Sequence, residues 1–546
     1  MRTNANFLLL LGAIAASFLL LKPITYNWDG EDSYISYRVA ENFARGEGLV
    51  FNRGERVEAH SNFLWTLILG IGGKLGFHVP TLGKILAALS VAGTIFLLGL
   101  MRPRLEEGPR PKLGLVAPLL YLFHPIAHYQ CDRALETSFY VLLLSVSCFF
   151  WLRRRPLATS VALAAVAATR PEGFGFFGLA VLLALFENRR GMRASHGTAQ
   201  EGTDRAIAFS RGFWLRLVVP FVVLMGALTA WRLAYYGYPL PNTVYAKTSP
   251  GNFWRAPAFP EILQFQISCN FLPLWALLAL APGPGRSRAE KSYLWTVAAF
   301  GAAALIYIAA IGQVATSFFR HYVPAIPFIV LLLQELVFQW RRARPRERLS
   351  TAFLVVILLG LTAYTSQNRD IPASRLHRRL TQFIRRPDYV ERARRFFAEP
   401  INIDARTGRW LAERYPPETK VVSGQMGQMA YYSGLTMIDI LGLADKHVAH
   451  APYPFFTLDY ALSRDPDLWA LVCSADGRQM WQNLTPIIES PRFAEAYVLR
   501  YILKNKLDRR DYHYRVFVRR DSDHPAPPET LAIGMTEEEL QEAYRP

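Results

Sequence analysis

The sequence predicts a polytopic α-helical membrane protein of about eleven spans with a C-terminal α/β domain. Three observations predict it. Apolar runs of about 15–22 residues recur through the first 366 of 546 residues, separated by short polar joints. The last 180 residues lack such runs and alternate between strand-like and helix-like stretches. Basic residues gather in the joints rather than along one face. The 51% hydrophobic content decides little, because soluble domains also approach half. The formal charge of +18 would suggest nucleic acid in a soluble chain. Concentrated in joints, it fits membrane orientation and anionic lipid instead, and nucleic acid is not an expected partner.

The spans read 7–22, 81–101, 113–128, 135–152, 156–169, 173–187, 214–234, 263–282, 293–312, 319–340 and 351–366. The first lacks a small-x-small cleavage site before Lys22 and reads as uncleaved. Five basic joints, around Arg102–Lys112, Arg153–Arg155, Arg189–Arg211, Arg286–Lys291 and Arg341–Arg348, belong in the cytoplasm by the positive-inside rule. Phe63–Leu75 would break that assignment if it crossed. At about 1.5 Å per residue its length is too short for ~30 Å of hydrocarbon, so it reads as an outer-face interfacial helix. The division is then a membrane domain over 1–366, with a first outer loop 23–61 and interfacial helix 62–76, and an extracytoplasmic domain over 367–546. Cys131, Cys148, Cys269 and Cys473 show neither metal spacing nor a disulfide framework.

Within the outer loop, Tyr34, Arg38, Glu41 and Arg45 recur at helical spacing, predicting a helix from Glu31 to Ala44 that Gly46 and Gly48 stop. In the C-terminal domain, Thr419–His450 reads strand, glycine turn, helix. Gly424 and Gly427 fit only part of a dinucleotide fingerprint, so no nucleotide cofactor is expected. Tyr497–Val518 reads as two strands.

Asp29, Glu31 and Asp32 put three carboxylates within four residues at the mouth of a membrane helix. Such a cluster needs a cation, a metal or a substrate to offset repulsion. The alternative is a set of N-cap carboxylates favoured by the helix dipole, for which one Asp would suffice. Arg170-Pro-Glu172 lies between two spans with almost no loop. A charge at bilayer depth costs about 2.5–3.5 kcal/mol, so it faces a wet cavity or closes a self-neutralising pair. Tyr235–Lys247 is dense in aromatics and turn formers, as in an aromatic belt, but Asn242, Tyr245 and Lys247 add groups suited to a phosphate or sugar oxygen. Arg320-His321 opens another span, where Arg320 snorkels to headgroups or binds a ligand. Glu136 opens a span on the outer face, and His60 is a weak candidate beside Ser61 and Asn62.

Taken in order, Glu31-Asp-Ser-Tyr-Ile-Ser-Tyr-Arg38, Gly46-Glu-Gly-Leu-Val-Phe-Asn52-Arg-Gly-Glu-Arg-Val-Glu58, Asn62-Phe-Leu-Trp65, Leu135-Glu136-Thr, Thr169-Arg-Pro-Glu172, Tyr236–Lys247 and Ile438-Asp-Ile-Leu-Gly442-Leu-Ala-Asp445 resemble integral-membrane glycosyltransferases of the GT-C fold. The branch is that of the mycobacterial terminal β-(1→2)-arabinofuranosyltransferase. The motifs run from about residue 26 to 450. Two departures stand out. The family usually has two adjacent aspartates where this chain has Glu31-Asp32, and often Gly-Tyr-Thr where it has Ala59-His60-Ser61.

The resemblance implies a polyprenyl-phosphate-linked sugar as donor, a glycan, glycolipid or protein acceptor outside the plasma membrane, and inversion at the anomeric carbon. Asp32 becomes the expected general base, with Glu31 and Asp29 orienting the acceptor or holding Mg²⁺, Mn²⁺ or Ca²⁺ if a metal is used. Arg170, Lys247, Arg320 and His321 become candidates for the departing phosphate. Glu136, Glu172, Asn242, His60 and Tyr245 become candidates for sugar or acceptor. A flippase for lipid-linked saccharides and a non-catalytic glycan-binding membrane protein are the competing readings. A flippase would show broken mid-membrane helices and an internal repeat, and no repeat is evident in the sequence.

Overall fold

A computed structural model describes residues 5–26, 30–102, 114–196, 209–248, 255–256, 258–281, 287–311, 313–314, 319–344, 346–363, 381–385, 388–400, 402–451, 456–474, 478–481, 484–504, 512–520 and 529–532. The chain divides into two compact units. The first comprises Met1–Trp28, Gly83–Thr229 and Trp254–Phe397; the second comprises Asp29–Leu82, Ala230–Phe253 and Ala398–Pro546. This does not follow the linear boundary expected at 366. The outer loop groups with the C-terminal sheet because Val39, Leu49, Phe51 and Ala59 bury their side chains in one core with Trp410, Val421, Met429, Met437 and Tyr514.

The first unit is helical. Among the described residues, four helices are long and apolar enough to cross a membrane: Ala5–Thr25, Val79–Met101, Arg211–Tyr236 and Val323–Ala343. Thr137–Leu152, Pro156–Thr169 and Arg348–Ala363 are shorter apolar helices at expected spans, and Gly173–His196 and Arg288–Ile311 occupy two more. Two expected spans are not continuous. The 113–128 run becomes Val116–Leu122 and Pro125–Asp132, broken where Pro125 opens a new first turn. Proline lacks the N–H a continuing helix needs. The 263–282 run becomes Ile262–Ser268 and Leu272–Leu280, bent by 88°. Asn270 and Phe271 carry φ of 52° and 58° at the bend, a left-handed conformation that terminates a helix. A short antiparallel ribbon, β1 (Arg255–Ala256) with β2 (Gln313–Val314), completes this unit. Phe18, Leu98, Leu120, Leu144, Phe300 and Phe328 are among its fully buried residues.

The second unit holds the helix Ser33–Ala44, the short helix Phe63–Lys74 and a six-stranded sheet. Gly46 and Gly48, at φ of 88° and 94°, end the first helix as the sequence predicts. The strands are β3 (Lys420–Ser423), β4 (Thr436–Asp439), β5 (Leu468–Ser474), β6 (Tyr497–Lys504), β7 (Tyr512–Arg519) and β8 (Glu529–Ala532), in spatial order β4-β3-β5-β7-β6-β8. β3 runs parallel to both β4 and β5, and β7 is antiparallel to its neighbours β5 and β6. The turns leaving β3 and β4 therefore lie on one edge of the sheet, the edge where α/β folds gather their sites.

Candidate active site

Asp32 and Glu31 stand at the start of the helix Ser33–Ala44. Asp32 occupies the N-cap position with φ −58° and ψ −27°, yet its side chain makes no capping bond. The N-cap account of the cluster thus fails for this residue. Glu31 is held from the sheet: its Oε1 accepts the Gly427 N–H at 2.6 Å. Gly427 follows β3, and a Cβ there would collide with both the main-chain oxygen and the carboxylate of Glu31. Of the two glycines that suggested part of a dinucleotide fingerprint, Gly427 is thus a seat for a carboxylate of the same chain, and Gly424 packs against Trp481 and Ile440.

Burial, then the charges of Asp32 and Asp404, raise the Glu31 pKa well above the usual carboxylate range, with the Gly427 N–H opposing; its carboxyl also hydrogen-bonds Asp32. Two acids this close repel when both are ionised, which favours keeping a proton on Glu31. Asp404 is itself fixed by the hydroxyls of Tyr514 at 2.6 Å and Tyr512 at 3.1 Å. Nothing in the spacing of the sequence marked Asp404 or Gly427 as part of this group. Asp29 lies outside the described residues. Among the described residues, no three His, Cys, Asp or Glu side chains converge to hold a metal ion.

Most other motif residues of the second unit bind its parts together. Arg38 donates to the carbonyls of Phe51 at 2.8 Å, Leu435 at 2.5 Å and Ala430. Asn52 gives its Nδ2–H to Met437 O at 2.7 Å and accepts Met437 N–H at 3.0 Å, pairing with the edge strand β4 as another backbone would. Glu58 and Arg232 form a buried bidentate pair, with Nε at 2.9 Å from Oε2 and Nη2 at 2.9 Å from Oε1. Asp439 caps the turn after β4, accepting from Leu441 N at 2.8 Å and Ala444 N at 2.7 Å, and burial pushes its carboxyl up to about 7.

Three expected sugar ligands take other places in this unit. Asn242 donates to the carbonyls of Gly442, Leu443 and Asp445 at 2.7, 3.1 and 3.2 Å, so its amide hydrogens are already engaged in holding the turn after β4. His60 is buried, and neither ring nitrogen has a hydrogen-bond partner among the described residues. Burial, then Arg232, lower its pKa to about 3. Tyr245 lies half-buried against His450, ring centroids 4.4 Å apart. Lys247, expected at the phosphate, sits half-buried in the last turn of Asn242–Thr248.

The first unit gathers five expected residues from three distant segments. Arg170 Nη2 donates to Glu172 Oε1 at 2.6 Å and to His321 Nδ1 at 3.0 Å, and Nη1 reaches Glu136 Oε1 at 3.4 Å. Arg320 Nη2 donates to the same Glu136 oxygen at 2.6 Å, and its Nε to Thr137 Oγ1 at 3.2 Å. Burial alone would lower the Arg170 pKa; Glu172 and Glu136 reverse that and hold it above the usual value. Because arginine only donates, His321 Nδ1 is the acceptor and its Nε2 carries the proton. Two guanidiniums against two carboxylates make a neutral, preorganised cluster, in which an anion would compete with carboxylates already in place. A second buried pair, Lys22 with Asp132, carries a further bond from Lys22 Nζ to His128 O at 3.0 Å; in the sequence Lys22 stands only as the residue that closes an apolar span.

Comparison with known proteins supports the class the motifs suggest. Residues 385–517 match a family described as a domain of unknown function (DUF8728). A curated relative, the terminal β-(1→2)-arabinofuranosyltransferase of Mycobacterium tuberculosis, is 30% identical over 255 residues, 42% of this chain. The chain spans 36% of the length of that relative. ArnT from Cupriavidus metallidurans, solved bound to undecaprenyl phosphate, aligns with TM-score 0.57 and 14% identity over 96% of this chain and 100% of its own. Its apo state aligns with TM-score 0.53 and 14% identity, covering 96% and 99%. The likeness to GT-C membrane glycosyltransferases therefore holds at the level of the fold, and the chain is a multi-pass membrane protein of that architecture.

Proposed function

We propose that the chain is an inverting glycosyltransferase of the bacterial plasma membrane, with a cytoplasmic N-terminus and an extracytoplasmic active site and C-terminal domain. Its donor is a sugar on a polyprenyl phosphate, and its acceptor a glycan, glycolipid or protein hydroxyl. Arabinofuranose is the sugar suggested by the mycobacterial relative, and undecaprenyl phosphate in ArnT supports the carrier class.

The observation that carries this reading is the Glu31–Asp32 pair. Glu31, seated on Gly427, holds a proton, and Asp32 stays ionised as base. Asp32 removes the acceptor hydroxyl proton as the oxygen attacks the anomeric carbon. The new C–O bond forms while the bond to the carrier phosphate breaks, and the electron pair leaves on the phosphate. A phosphate leaving group needs positive charge rather than an acid. Arg170 and Arg320 carry that charge, His321 Nε2–H adds a neutral donor, and Lys247 is the remaining cationic candidate. Glu31 and Asp29 are the residues that would hold a divalent cation. No step is routed through one.

The bent pair Ile262–Ser268 and Leu272–Leu280 is a feature that a flippase reading shares. Radiolabelled sugar on a polyprenyl phosphate, supplied to membranes containing the protein, separates the readings. The enzyme forms a labelled glycosidic product. A flippase moves the labelled carrier and forms none, and a glycan-binding protein does neither.

A further inference from the structure

Three rings in the second unit stack on one another and stay open to solvent. Tyr238 and His450 lie with centroids 4.5 Å apart at 26°, His450 and Tyr245 at 4.4 Å and 35°, Tyr238 and Tyr245 at 5.7 Å. Tyr238 is 36% exposed, and His450 is exposed. Core packing does not explain aromatic faces left in water.

The rings are also fixed in place. Tyr238 and Tyr245 sit on the segment after Arg211–Tyr236, where Gly237 turns the chain at φ 85°. His450 ends the helix Lys446–His450, about 200 residues later. Asn242 ties the two segments through three carbonyls, and Lys446 Nζ donates to Tyr236 O at 2.7 Å. The same ammonium stands 5.4 Å from the Tyr238 ring. Rings held this way lose little freedom on binding, which favours affinity.

Their position in the sheet adds a second argument. His450 belongs to the connection leaving β4, and Glu31 is seated on the turn leaving β3. The two strands are parallel neighbours, so both connections emerge from the same edge. The rings and the acid pair are therefore on one side of the sheet within one unit.

We propose that Tyr238, Tyr245 and His450 form a binding platform for the sugar rings of the acceptor glycan. The chemistry fits: aromatic faces are electron-rich, the C–H faces of a sugar ring are electron-poor, and the pair buries apolar area on both sides. Lys446 lies beside the platform, where its remaining ammonium hydrogens meet ring hydroxyls. The platform holds sugars behind the one that reacts, so it sets which acceptor is extended and not how fast the bond forms. This rests on the transferase reading for the word acceptor, but binding can be measured without turnover.

The test uses the full chain in detergent and two probes: fluorescently labelled oligosaccharides released from the envelope glycan of a deletion strain, and labelled mannohexaose as a control sugar. Tyr238→Ala and His450→Ala are expected to weaken envelope-oligosaccharide binding about tenfold. Tyr238→Phe, which keeps the ring, is expected to bind within twofold of wild type. In the transfer assay the alanine variants are expected to raise the acceptor KM while leaving kcat and the donor KM unchanged. No binding of the envelope oligosaccharides by wild type, equal binding by the alanine variants, or equal weakening by Tyr238→Phe each overturns the proposal. Binding without any transfer would count against the enzyme reading and leave the platform standing.

Discussion

Asp32 and Glu31 are adjacent in sequence and differ in what holds them. Glu31 is fastened to Gly427 N–H; Asp32 makes no capping bond. Burial and the charges of Asp32 and Asp404 raise the Glu31 pKa against the opposing Gly427 N–H, which suits Glu31 to keeping a proton. His60 replaces a residue the family often has elsewhere, and its environment sets a measurable pH dependence. Its folded pKa is about 3 against 6.5 in the unfolded chain. A lowered histidine pKa gives stability that is fully present above pH 6.5 and is lost as pH falls toward 3. At pH 5 the loss is about 2 kcal/mol, from 1.36 kcal/mol per unit. Melting at pH 7.5 and 5.0 should therefore show a smaller acid-induced drop in His60→Gln than in wild type. An equal drop would mean that His60 is solvated or partnered in the folded protein.

At the scale of elements, much of the chain could be read from its pattern. The helix expected from Glu31 to Ala44 is Ser33–Ala44, the strand–turn–helix over 419–450 is present, and both late strands form. Period and turn residues are local signals, so they survive without the fold. The breaks at His124 and at Asn270-Phe271 were missed because hydropathy counts apolar residues and ignores where a backbone N–H is lost or φ turns positive. Residue roles were harder still. Asn242 reads as a sugar or phosphate ligand and Asn52 only as part of a motif, and both are side chains that bond to distant main chain. The Glu58–Arg232 pair makes the same point with charge. Glu58→Ala strands a buried guanidinium and should destabilise the protein by about 3–5 kcal/mol, read as a fall in melting temperature. A change within the scatter of surface substitutions would show that the pair is not buried in solution.

For the whole molecule, the chain does not group as the linear division into 1–366 and 367–546 expects. The outer loop carrying the acids and the distal sheet form one unit with one core. No local pattern announces a contact such as Arg38 with Leu435 across 397 positions. That grouping explains why the motifs resembling other membrane glycosyltransferases are scattered from the first loop to residue 445: many are two sides of the same set of hydrogen bonds. The acid pair is the chemical outcome of this arrangement, and Asp32 as base is the claim on which the rest depends. Its most direct test is transfer of radiolabelled sugar from a polyprenyl phosphate by membranes containing equal amounts of wild-type and Asp32→Asn protein. Loss of a general base lowers the rate by about 10²–10⁴-fold, with melting temperature unchanged. Transfer at the wild-type rate by a correctly inserted Asp32→Asn protein would contradict the account.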